Sequence, residues 1–189
     1  MAKQARGLAR MDVAIRAVGV VFARDGYRLA TMEAVMREAG LSQGSLYAHF
    51  GAKEALAHAV VARQREIFAE QMASQKGQGV AVLMQTLVGI AHAIASDPVV
   101  RGGIRLSTEM PDISSSADVD LWNEAIEEAL IHGKVEGVVG PEVDATLVSR
   151  IISDSLLGII AMCLATTDGA DLEATARTYL AASLASVAS

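Results

Sequence analysis

The sequence predicts an all-α protein, and three observations carry that expectation. Only three prolines interrupt 189 residues. Alanine is abundant, and apolar residues recur at three- and four-residue intervals. No stretch alternates with period two for long, and no fixed-period repeat is visible. Hydrophobic residues make up 52% of the chain and charged residues 20%, the balance of a globular protein rather than a disordered one.

The elements follow in order. From Arg10 to Arg24, Ile15, Val18 and Phe22 recur at helical spacing, and Gly26 stands where a C-terminal cap belongs. Thr31 offers a hydroxyl N-cap for a short helix from about Met32 to Ala39, with Glu33 in its first turn. Ala39-Gly40-Leu41 reads as a tight turn, because glycine tolerates positive φ. Ser42 caps a second short helix to about Ala48, with Leu46 and Phe50 facing inward. Residues 53 to 73 read as one long helix of about 31 Å at ~1.5 Å per residue, buried along Leu56, Val60, Ile67 and Phe68. The polar stretch Ser74 to Gly79 breaks it. A helix over about Val80 to Ala95 ends at Asp97-Pro98, and a shorter one from Val99 to Glu109 stops at Met110-Pro111. Asp112 to Asp118 is expected as a loop, followed by a helix from about Val119 to His132 that Gly133, Gly137, Gly140 and Pro141 bring to an end.

The last two helices differ. From Asp144 to Thr166, Leu147, Ile151 and Met162 fall on one face and Val148, Ile152, Ile159 and Cys163 on another, which implies burial on two sides. The final helix, Asp171 to Val187, has a single stripe of Leu172, Ala176, Leu180, Leu184 and Val187. Such a pair suits a two-plus-two helix contact in a homodimer.

Charge is divided along the chain. The net charge is −6, yet residues 1–65 hold ten Lys/Arg against five Asp/Glu, a local balance of +5, and the remainder carries −11. A basic head on an acidic body suggests that one part meets a polyanion. The two short helices joined at Gly40 form a helix-turn-helix. Its second helix fits a major groove about 12 Å wide, with its N-terminal residues at the base edges. Gln43, Gly44 and Ser45 lie there: Gln43 can bond an adenine edge twice, and Gly44 permits close backbone approach. Ser42, Tyr47, His49 and Lys53, with Thr31 at a helix N-terminus, complete the expected DNA contacts.

These residues match a more specific pattern. Phe22-Ala23-Arg24-Asp25-Gly26-Tyr27, Thr31 to Val35, and the string GSLYAHFGAKEAL from Gly44 to Leu56 closely resemble the N-terminal domain of the TetR family of transcriptional regulators. The resemblance covers about residues 8–60. It implies a helical homodimer with a DNA-binding domain over 1–52 and a ligand-binding and dimerisation domain over 53–189. A palindromic DNA operator and a small hydrophobic inducer are the implied partners. Many members carry serine or asparagine where this chain has Gly51.

Asp97 to Glu109 (DPVVRGGIRLSTE), followed by Leu121-Trp122-Asn123, looks like the γ-butyrolactone receptor branch of that family. The resemblance implies that Trp122 lines a signal pocket with Gln64 nearby. Ile104 and Leu157 complete the expected ligand set. Leu157 stands where that branch often has a small or hydroxyl residue, so a furan, a butenolide or another apolar metabolite is as open as the butyrolactone. A regulator of the same type that answers to an unrelated compound, or to none, is the alternative. The sole indole is informative, since only Phe68, Trp122 and Tyr179 are aromatic beyond residue 65.

Other chemistries find no support in the sequence. His58, His92 and His132 lack metal-ligand spacing to cysteines or acids, and no cofactor or metal is expected. Cys163 lies in an apolar run, where a buried inert thiol is expected, and Ser107 and Thr108 have no His–Asp arrangement, so no enzyme is expected. Arg101 and Arg105, four apart, are expected to pair with acids such as Asp97 or Glu109. The longest apolar run, Leu156 to Ala165, falls short of the roughly 18 residues that span a bilayer. No export signal is read at the N-terminus, and a cytoplasmic protein without a membrane partner is expected.

Overall fold

The computed structural model describes residues 2–74, 77, 79–110, 112–113 and 116–188; the side chains of 2–10, 48–49, 74 and 116–121 lie outside that description. Among the described residues the chain forms α1 (Ala2–Leu29), α2 (Met32–Ala39), α3 (Gln43–Phe50), α4 (Lys53–Ser74), α5 (Val80–Ser96), α6 (Pro98–Glu109), α7 (Ser116–Val135), α8 (Ala145–Thr167) and α9 (Leu172–Ala185). Strand-like pairing among them is limited to one antiparallel bridge, Val139 with Ala188.

The backbone divides into two compact units, and the division differs from the expected boundary at 52/53. The first unit comprises residues 1–68 with 97–114, and the second 69–96 with 115–189. In the first, α1 to α3 and the first part of α4 close a core of Val18, Val21, Phe22, Val35, Leu46, Leu56, Val60 and Val61. Helix α6 belongs to this unit because Val99 and Leu106 enter the same core. It lies against α1 at backbone distance. A Cβ on Gly19 would come 2.7 Å from the Val99 Cα, and one on Gly102 would come 2.7 Å from the Gly19 carbonyl oxygen.

Local capping sets the helix ends. The Thr31 hydroxyl accepts the Ala34 N–H at 3.1 Å and the Ser42 hydroxyl accepts the Ser45 N–H at 3.4 Å, while Gly40 turns the chain with φ of 62°. Gly26 behaves differently from the expected cap. The helix runs on to Leu29 with a break at Gly26 (φ 69°, ψ −179°), a conformation open essentially to glycine alone.

In the second unit α5 packs on α9, α7 on α8, and α8 on α9. Its core is built from Leu83, Leu87, Ile90, Ile94, Ile126, Leu130, Ile152, Leu156, Leu172 and Leu180. The expected loop is shorter than 112–118, since α7 begins at Ser116. Gly133 does not end that helix. It lies inside α7, where a Cβ would come 2.6 Å from the Val139 side chain and 2.9 Å from that of Val80, so it is a packing glycine.

Helix α8 has the two-faced character read from its sequence. Ile152, Leu156, Ile160 and Cys163 are buried, while Leu147, Ile151, Leu157 and Met162 are 49–63% exposed. Over its most apolar 18 residues the mean hydropathy is 1.8, enough by length and composition to cross a membrane, and 28% of that window is buried within the chain.

The α1–α6 contact yields a stability prediction. Gly102→Val and Gly19→Ala are expected to lower the free energy of unfolding by about 1–3 kcal/mol each through overpacking. Urea denaturation checks this, and an unchanged midpoint would show that the two helices separate at no cost.

Candidate nucleic-acid interface

Helix α3 presents two faces. Leu46 is fully buried, while Gln43, Gly44 and Tyr47 are exposed, with Gln43 and Tyr47 one turn apart. Ser45 is half-buried. A Cβ added to Gly44 would meet no atom within 4 Å, so nothing inside the chain requires a glycine there. Ser42 and Thr31 are exposed, and each hydroxyl accepts a cap hydrogen bond. A hydroxyl that accepts still has its own proton to donate, so both can cap a helix and bond an outside oxygen together. The His49 side chain lies outside the described residues.

Lys53 is held differently from a free phosphate contact. Its ammonium donates to the carbonyl oxygens of Tyr27 at 2.8 Å and Ala30 at 3.0 Å, and sits 4.5 Å above the Tyr27 ring. Two of its three protons are thereby used to close the last turn of α1. Tyr27 in turn stacks on the buried Phe22, with ring centroids 6.1 Å apart.

A second charged group meets the other end of that turn, and sequence reading missed it. The Glu109 carboxylate accepts the Tyr27 N–H at 2.6 Å. Arg105 bonds Glu109 at 2.8 Å, as the i,i+4 spacing suggested, and also donates to the carbonyls of Ala23 at 2.9 Å and Arg24 at 2.8 Å. Burial pushes the Glu109 carboxyl up, but the Arg105 guanidinium and the N–H groups of Tyr27 and Arg28 outweigh it and hold the group below its usual range.

The expected ligand residues are divided between the units. Gln64, on α4 in the first unit, is 7% exposed; its Oε1 is buried without a hydrogen-bond partner, and a Cβ on Gly103 would come 2.6 Å from that oxygen. Ile104 is half-buried on α6. In the second unit Trp122 is half-buried on α7, whereas Leu157 stands 49% exposed on α8. Leu157, expected in the ligand set, flanks the exposed face of α8, because the core side is taken by Ile152, Leu156 and Ile160. An open groove of about 560 Å³ in the second unit is lined by Met72, Val82, Leu83, Ala129, Ile131 and Val135, and none of the four expected residues lines it.

Residues 15–60, which span the second half of α1, the helix-turn-helix and the start of α4, match the model of bacterial regulatory proteins of the tetR family. Over 172 residues the chain is 31% identical to the A-factor receptor protein of Streptomyces griseus, covering 91% of this chain and 61% of that one. The head of the chain is similar to the TetR family. Two solved structures extend the likeness. A γ-butyrolactone receptor (ArpA-like protein) shares 27% identity with a TM-score of 0.71, covering 96% of this chain and 98% of the other. The TetR family protein CprB from Streptomyces coelicolor, in complex with its operator sequence, shares 27% identity with a TM-score of 0.70, over 81% of this chain and 78% of the other. The chain spans about three-fifths of the length of the A-factor receptor protein it matches.

The role of Lys53 in this head can be measured. Lys53→Met removes two charge-assisted bonds to carbonyls, worth about 1.5–3 kcal/mol. A lower melting temperature is expected, and an unchanged one would return Lys53 to the phosphate-contact set alone.

Proposed function

We propose that this protein is a cytoplasmic DNA-binding repressor. It pairs with a second copy of itself, reads a palindromic operator through α3, and releases it when a small apolar inducer of the γ-butyrolactone kind binds. The exposed face of α3 carries the proposal. Gln43, Gly44 and Tyr47 stand clear of the core, and Gly44 has open space where the chain itself would accept a side chain. A recognition helix needs that combination, since base-edge contacts require a bare approach and a long polar side chain beside it. The net positive balance of residues 1–65 supplies the phosphate attraction.

Pairing with a second copy is supported by the uncovered apolar face of α8, and Leu157 is better assigned to that contact than to the ligand. The inducer reading is supported by Gln64, whose buried, unpartnered oxygen would be satisfied by a donor on a ligand. Trp122 and Ile104 are the further ligand candidates.

Selection of bound duplexes from a random pool tests the central claim. Recovery of a two-fold symmetric site is expected, and no enrichment would overturn it. Tyr47→Ala is expected to weaken binding to all duplexes while leaving the salt slope unchanged, since a phenol carries no charge, whereas Gln43→Ala relaxes preference at one base pair per half-site. Unchanged affinity in a fluorescence titration would remove Tyr47 from the phosphate contacts. Met162→Glu is expected to give monomers in sedimentation. Trp122→Ala is expected to spare operator binding and abolish its release by a γ-butyrolactone; normal release would take Trp122 out of the ligand site.

A further inference from the structure

The non-helical backbone at Gly26 cuts the turn Tyr27–Ala30 off from the rest of α1, which leaves its first N–H groups without helical partners. Glu109 takes the Tyr27 N–H from 82 residues away, and Lys53 takes the Tyr27 and Ala30 carbonyls at the opposite end. A carboxylate at the N-terminal side and an ammonium at the C-terminal side complement the dipole of this one turn. Gly26 fits the arrangement on two counts. Its φ is 69°, and a Cβ there would collide with the Glu109 carboxylate. Ala30, 2% exposed, leads directly into the Thr31 cap of α2, so the direction of this turn sets the direction of the helix-turn-helix.

We infer that Glu109 is a positioning residue for operator binding: held by Arg105 on α6, its carboxylate caps the turn Tyr27–Ala30 and fixes the angle at which the chain enters α2 and α3. The inference rests on the reading of α3 as a recognition helix. Four contacts over-determine the link, since Arg105 also grips the Ala23 and Arg24 carbonyls just before the break. The same helix carries Gly103 against Gln64, so a displacement of α6 would reach the kink through Glu109 without passing along α4.

The test uses the full chain and the operator duplex that the unaltered protein selects. Glu109→Gln removes one negative charge, and on charge grounds alone it would tighten binding to any DNA. The positioning role predicts the opposite sign. Operator affinity is expected to fall about tenfold, the loss of one charge-assisted hydrogen bond, while affinity for an unrelated duplex holds or rises slightly. Hydrogen exchange is expected to speed up in the peptide spanning Tyr27 to Ala30 and to stay unchanged in the Phe22–Leu46–Leu56 core. Glu109→Ala should show the same pattern more strongly, and where it fails to fold, Glu109→Gln decides. Operator affinity that stays equal or rises would overturn the inference, as would a parallel loss on both duplexes with exchange accelerated throughout the core. Failure of the unaltered protein to select any duplex would instead sink the recognition-helix reading and this inference with it.

Discussion

The structure of the reading head depends on the approach of two backbones, at Gly19 of α1 and Gly102 of α6. Three helices spanning some fifty residues bury too little surface to be comfortably stable alone. Here the deficit is met from elsewhere in the sequence: Val99, Leu106 and Ile113 join Phe22, Val35 and Leu46 in one core. Any side chain at the crossing would hold the helices apart and withdraw Leu106, which is fully buried, from that core. For that reason the compact unit does not stop at the start of α4. It takes in residues 97–114, and a DNA-binding segment bounded at 52 would lack part of its own interior.

What was legible in the sequence is what is decided within a few residues. Thr31 and Ser42 cap the helices they were expected to cap, because the accepting oxygen and the donating N–H are three positions apart. The same locality explains the Gly40 turn and the Arg105–Glu109 pair. Contacts across long separations were not legible. Nothing near Lys53 in the chain says that its ammonium closes α1 at Tyr27 and Ala30, and nothing near Glu109 points to Tyr27. Glycine shows the limit most sharply. Gly40 ends a helix, Gly133 lies inside one because Val139 folds back against it, and Gly26 breaks one without ending it. Residue type alone does not separate the three cases. Nor does residue type alone say that Leu157 lies on the open flank of α8.

The charges of the head are spent unevenly. Arg24 is bound to Asp25 at 2.8 Å, Arg63 to Glu66 at 3.0 Å, and Arg105 to Glu109 at 2.8 Å. Exposed pairs of this kind add little stability, so their main effect is to cancel charge where they stand. The Arg24 guanidinium beside Asp25 holds that carboxyl below its usual range, which keeps the pair ionised and neutral overall through ordinary pH. The net positive field then depends on groups such as Arg16, Arg28 and Arg37, which are exposed. Charge density and charge position are thus separate properties of this surface: the first sets attraction to any duplex, and the second would decide where α3 comes to rest in the proposed complex.

The body poses a different problem, and α8 states it. Single exposed leucines or methionines are ordinary on a protein surface. A helix with apolar residues on two sides is not, because only one side can be buried by α7 and α9. Ile152, Leu156, Ile160 and Cys163 use that side; Leu147, Ile151, Leu157 and Met162 are left on or beside the other, and little more than a quarter of the apolar window is covered. A second copy of the same helix is the economical cover, since a two-fold contact presents each face to its own equivalent and needs no further complementary surface. Pairing of this kind, as proposed, would also serve the head. One helix-turn-helix reads too few base pairs to find a site among many, and two held at fixed spacing convert modest affinity per half-site into selectivity for a symmetric sequence.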